Sequence, residues 1–240
     1  MKLYVYCLAE SSVALVEPVA GISGAAVRLL EIDGLTAVVS DLNADAVPVT
    51  RENALCHAAV VRSVFTETTP LPFRFGTLAS EQQMKSYVFA RKAKLKAKLA
   101  HVRDCAEMNV KIIWQLSEPD PGEGAEDINH HGIGTAFLAE KRRALIGDER
   151  RVAMANEMVE WLRVCVSGLV KDEQVTVRPG ERLFYAAAHL VERSQIRQYR
   201  ERIAEARTAR PDFRFLSSGP WPPYSFANEE LEFQSRFGVS

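Results

Sequence analysis

The spacing of hydrophobic and polar positions changes along the chain, and each change marks an element. Leu3–Leu8 is apolar, with Tyr4 and Tyr6 at alternate positions, and predicts a first strand. Val27–Ile32 and Leu35–Asp41 flank Asp33-Gly34, a dipeptide suited to a tight hairpin turn. Thr50 caps a helix to about Thr66, on which Leu55, Ala59, Val60 and Val64 give an apolar face. Pro70 and Pro72 interrupt regular structure, and Leu71, Phe73 and Phe75 then alternate like a strand. Ser80 and Gln83 form a capping-box pattern that opens a helix to about Arg103. Val88, Leu95, Leu99 and Val102 are its buried stripe.

The second half repeats the alternation. VKIIWQL at Val110–Leu116 predicts a strand. Ser117–His131 carries acids, prolines and glycines but no Lys or Arg, and reads as an acidic loop. Gly134–Leu145 and Glu149–Leu169 read as helices, the second with Met154, Met158, Trp161, Leu162 and Val166 on one face. Val175–Val177 predicts a short strand before Pro179-Gly180, and Leu183–Val191 a central one. Ser194 then caps a helix on which Ile196, Tyr199, Ile203 and Ala206 recur, and Phe213–Leu216 closes the set. The order approximates a βαββαβ ferredoxin-like sandwich with an enlarged first crossover. The fold class is therefore α+β in two domains. Residues 1–104 form a small mixed domain, 105–218 the modified ferredoxin-like domain with extra helices, and 219–240 an extended tail.

In that tail the prolines of GPWPPYSF argue against helix and ladder pairing. Trp221, Pro222, Pro223, Tyr224 and Phe226 then form either a strap packed on the protein itself or a partner-binding patch.

Composition narrows the function classes. Of 240 residues, 47% are hydrophobic and 25% charged, which excludes wholesale disorder. The 30 Lys+Arg against 31 Asp+Glu leave a net charge of -1, without the basic excess of a general nucleic-acid binder. The N-terminus reads as a strand rather than a signal peptide, and no apolar run is long enough to span a membrane. Cys7, Cys56, Cys105 and Cys165 form no CxxC pair and read as reduced core thiols of a cytoplasmic protein.

No motif carries catalysis. Gly132-Ile133-Gly134 follows a loop rather than a strand, and Gly21-Ile22-Ser23-Gly24 lacks the spacing of a nucleophile elbow. His130-His131 lacks HExxH or HxxxH spacing, so neither metal nor cofactor is expected. His57 and Cys56 diverge on a helix, and His189 reads as a satisfied core residue. Arg91, Lys92, Lys94, Lys96, Lys98 and Arg103 decorate one helix, either as a solvated face or as a surface that docks an acidic partner.

Four segments, taken with the Leu3–Tyr6 strand, resemble a known family: TPLPFRFGTL at Thr69–Leu78, CAEMNVKI at Cys105–Ile112, GTAFLAEKR at Gly134–Arg142 and SSGPWPPYSF at Ser217–Phe226. In this order they are similar to the gas vesicle protein GvpF/GvpL family. The resemblance implies a non-enzymatic accessory protein of gas vesicle assembly. Its partners would be the small, hydrophobic major shell protein and other gas vesicle accessory proteins. Its task would be nucleation or prevention of shell-protein aggregation, and its place cytoplasmic and vesicle-associated. It further implies two α+β domains bridged by the tail. On its strand Arg74 faces opposite to Phe73 and Phe75 and reads as an interdomain structural residue paired with a carboxylate. The competing reading is a small-ligand sensor or enzyme on ferredoxin-like domains, a scaffold that hosts many functions.

Overall fold

The computed structural model describes residues 2–11, 19–115, 152–178 and 182–227. The Ser117–His131 loop, the Gly134–Leu145 helix, His130-His131 and Pro179-Gly180 lie outside the described residues. Two units separate: Met1–Glu107 with Gly219–Ser240, and Met108–Ser218.

In the first unit β1 (Lys2–Glu10), β2 (Val27–Ile32), β3 (Leu35–Leu42), β4 (Leu71–Pro72) and β5 (Leu78–Ala79) form one sheet in the order β2-β3-β1-β4, with β5 also on β1. The hairpin turns at Asp33 and Gly34, both left-handed (φ 50° and 79°), as an Asp-Gly turn requires. From Leu3 to Ala9 every residue of β1 is buried, so neither of its faces is open. Helices α1 (Arg51–Glu67) and α2 (Glu81–Val102) pack against it. Thr50 Oγ1 accepts from Asn53 N at 3.2 Å at the head of α1. Ser80 and Gln83 complete the reciprocal capping box of α2.

The strand predicted through Leu71, Phe73 and Phe75 is cut short. Phe73 N still donates to Tyr6 O at 2.9 Å. The chain then turns, because Thr77 donates through N (3.3 Å) and Oγ1 (2.7 Å) to Arg74 O, and Gly76 takes φ 85°. Arg74 therefore sits exposed on a turn instead of on a pleat between two aromatics.

The second unit is built on β6 (Cys105–Gln115) from Met108 onward, a helix α3 (152–165), β7 (Val170–Arg178), β8 (Arg182–Glu192), α4 (Ile196–Ala209) and β9 (Phe213–Trp221) as far as Ser218; Cys105–Glu107 and Gly219–Trp221 belong to the first unit. Its sheet runs β7-β8-β6-β9, the ferredoxin-like order of a βαββαβ chain. The core joins Met108, Val110 and Ile112 to Met158, Leu162, Tyr185, Tyr199, Ile203 and Phe215.

Several boundaries move. β6 begins at Cys105, five residues ahead of the predicted start at Val110. β7 spans Val170–Arg178 rather than Val175–Val177, because a ladder from Val170↔Val191 to Arg178↔Phe184 overrides the weak strand preference of Lys171, Asp172 and Glu173. Helix α3 ends before Gly168, which turns with φ 77°. Ser194 lies in a short 3-10 turn, Arg193–Gln195, and Gln195 heads α4 without a side-chain cap. β9 continues past Leu216 through Pro220, which an edge strand tolerates because its outer N–H needs no partner. The tail also closes one helical turn, α5 (Tyr224–Ala227). Pro222 O accepts from Tyr224 N, and Pro223 O accepts from Phe226 N and Ala227 N. Prolines at a helix start lose no bond.

Candidate functional site

Tyr4 and Tyr6 project from β1 into a ring cluster with His57 of α1 and Phe75, at centroid distances of 4.8 to 6.3 Å. Tyr4 Oη lies 2.9 Å from His57 Nδ1 and accepts from Gly76 N at 3.1 Å. Tyr6 Oη accepts from Ile22 N at 2.8 Å and meets Ser40 Oγ at 3.1 Å. The imidazole tautomer sets which of Tyr4 Oη and His57 Nδ1 donates in this bond, and the ring's other nitrogen is Nε2. That nitrogen is buried and makes no well-aligned hydrogen bond. Burial lowers the His57 pKa to about 4, partly offset by the Phe73 carbonyl. Burial likewise pushes both tyrosines upward.

The tail docks on this unit. Ser225 donates to the Glu107 carboxylate through N (2.7 Å) and Oγ (3.0 Å). Glu107 is 4% exposed, and this pairing is what allows a carboxylate inside β6. Tyr224 packs on the Tyr4–Tyr6 core, α5 packs on β4, and Pro222, Pro223 and Phe226 are buried. Trp221 keeps 42% exposure. Thr69 Oγ1 donates to Cys105 O at 3.3 Å. Three of the segments quoted above, around Leu71–Gly76, Cys105–Glu107 and Tyr224–Phe226, thus converge on one place. Sequence reasoning missed Glu107. The available signal was the single acid in the strand-like stretch Cys105–Ile113.

The second unit buries His189, with Nδ1 2.7 Å from Tyr199 Oη. Its Nε2 faces Glu173 Oε2 at 3.9 Å, and Glu173 pairs with Arg163. Burial lowers the His189 pKa to about 4, with Glu173 opposing. The reading of His189 as a satisfied core residue agrees with this. A cavity of about 210 Å³ lies between Met154, Glu157, Met158, Trp161, Arg210 and Phe213. Arg210 covers the Trp161 and Phe213 rings at 5.7 and 4.2 Å and holds Asp212 in a two-pronged pair. Histidines and cavity are not brought together: His57 and His189 sit in the cores of different units, and neither lines the cavity. Among the described residues no cluster of His, Cys, Asp and Glu suits a metal ion, and no helix is long and apolar enough to cross a membrane. Cys7, Cys56, Cys105 and Cys165 are all free thiols.

The basic residues of α2 have separate surroundings. Arg91 lies over the Tyr87 ring at 4.9 Å, and Lys92 reaches Asp33 of the hairpin turn at 2.7 Å. Lys94 and Lys96 are exposed, and Lys98 is half-buried.

An α+β sheet with a docked tail and a ferredoxin-like sheet, held by packed rings and paired polar groups, define a two-unit packing scaffold. The family described as gas vesicle synthesis protein GvpL/GvpF matches residues 2–228, and the chain belongs to it. Gas vesicle protein L2 of Halobacterium salinarum is 28% identical, covering 93% of this chain and 90% of its own. Gas vesicle protein L of a Streptomyces species is 28% identical over 86% and 85%. The crystal structure of GvpF from Anabaena sp. PCC7120 matches with TM-score 0.74 at 18% identity, covering 95% of this chain and 96% of its own. GvpF from Microcystis aeruginosa matches with TM-score 0.74 at 19% identity, covering 95% and 99%. Family membership assigns the chain a role in gas vesicle assembly.

Proposed function

We propose that the protein binds the major gas vesicle shell protein and covers its apolar strands before incorporation. An unincorporated subunit with bare strands is an aggregation hazard, and strand addition to a free sheet edge would remove it. The observation that carries this reading is the edge strand β2. It pairs regularly with β3 over all six residues, without bulge or proline, and its Val27, Leu29 and Leu30 are only half-buried. The other described edges carry guards. β4 is two residues long, contains Pro72 and lies under α5. β7 has a register shift and three consecutive charges, Lys171, Asp172 and Glu173. β9 contains Pro220. The tail, which re-enters the first unit at Gly219, serves in this reading as the tie between the two units.

The test is refolding of the major shell subunit by dilution, followed by light scattering. Wild-type protein should suppress the scattering. Leu30→Lys, which places a charge on the β2 edge, should suppress it far less while keeping its circular dichroism. Equal scattering with and without wild-type protein sinks the reading.

A further inference from the structure

The outer face of α2 has an unusual composition. Met84, Val88, Leu95, Leu99 and Val102 bury the inner side. On the outer side Phe89 is 61% exposed, and Ala90, Ala93, Ala97 and Ala100 are exposed with it. At 3.6 residues per turn these five positions fall within about 100° of arc. Cations run along both borders, Lys92 and Lys96 on one and Lys94 and Lys98 on the other. Glu81 is the only acid on the helix.

We propose that this face docks an amphipathic helix of another protein, with an apolar seam flanked by carboxylates. Phe89 is the anchor, since a large aromatic side chain gains most when desolvated. The alanines let the backbone of a partner helix approach closely. The two lysine rows set register and orientation by pairing with acids on both flanks. Lys92, Lys94, Lys96 and Lys98 together set the sign of this surface, and complementary charge on the partner steers its approach. A second copy of the chain is a poor occupant, because α2 against α2 opposes lysine to lysine. A lipid surface is a poor one too, because Phe89 is the only bulky apolar residue on the face. The surface lies on a different element from the β2 edge, so the proposal stands whether or not that edge binds shell protein.

The test uses the full-length protein and two designed helical peptides, both with a leucine–alanine seam. One has glutamate on its flanks and the other lysine, and fluorescence anisotropy reads the binding. The glutamate peptide should bind saturably and weaken with salt, and the lysine peptide should not bind. Phe89→Asp should weaken binding about tenfold without changing circular dichroism, since the side chain is exposed. The double variant Lys94→Glu/Lys96→Glu should reverse the peptide preference. The proposal is overturned if the glutamate peptide shows no saturable binding, if both peptides bind equally, or if Phe89→Asp has no effect. It is equally overturned by a wild-type dimer that Phe89→Asp dissolves, or by Phe89-dependent binding to phosphatidylglycerol vesicles.

Discussion

Each unit buries one histidine against one tyrosine hydroxyl, and the two pairs are completed differently. His57 spends Nδ1 on Tyr4 and leaves Nε2 without a well-aligned hydrogen bond, among aromatic rings. His189 spends Nδ1 on Tyr199 and turns Nε2 toward Glu173, itself held by Arg163. The first ring is a packing element inside the site where the tail docks. The second belongs to a polar network that reaches the surface through a partly exposed carboxylate. The same residue pair therefore serves a closed apolar cluster in one unit and an electrostatically backed one in the other.

Acid is the largest lever on this comparison. Both folded pKa values lie near 4, below the ~6.5 of an unfolded histidine. The unfolded chain therefore takes up protons first as the pH falls. Stability from each neutral ring is complete above about pH 6.5 and is lost between there and pH 4, by about 3 kcal/mol per ring. Urea midpoints at neutral and acid pH should each lose one ring's share of this slope in His57→Gln and in His189→Gln. An unchanged slope in both variants would refute the linkage.

A change confined to the first unit should be nearly as large. A Cβ on Gly21 would lie 2.3 Å from Tyr6 Oη, 2.4 Å from Ser40 Oγ and 2.9 Å from Ala25 O. Gly21→Ala should cost about 3 kcal/mol through overpacking and the lost Tyr6 bonds. Amide exchange should rise along β1 and stay unchanged along β8. The smallest expected effect is at the tail. Glu107→Ala removes the carboxylate that accepts from Ser225 N and Oγ and should cost about 2 kcal/mol. It should speed exchange of the Tyr224–Ala227 amides while leaving β8 protected, and equal exchange there would remove Glu107 as the tether.

Much of the fold was legible because its signals are local. Asp33-Gly34 can turn only one way at low cost, Ser80 and Gln83 cap each other within one turn, and Ile196, Tyr199, Ile203 and Ala206 mark a helix face by spacing alone. The βαββαβ order of the second unit followed from the same periodicities. β7 was only partly legible, because Lys171, Asp172 and Glu173 pair through their backbone with β8 and their side chains advertise nothing. The short helix α5 hid behind Pro222 and Pro223, whose carbonyls still accept hydrogen bonds although their nitrogens cannot donate.

By itself the sequence determined most of the elements, the two α+β halves and, through its motif segments, the family resemblance. These depend on residues a few positions apart, where sterics and spacing act directly. The tertiary structure alone decided that Glu107 meets Ser225 118 positions away, that Tyr4 shares its hydroxyl with His57, and that β2 lies at the end of its sheet. Burial, pairing and edge position depend on which distant segments come together, and no local pattern encodes that.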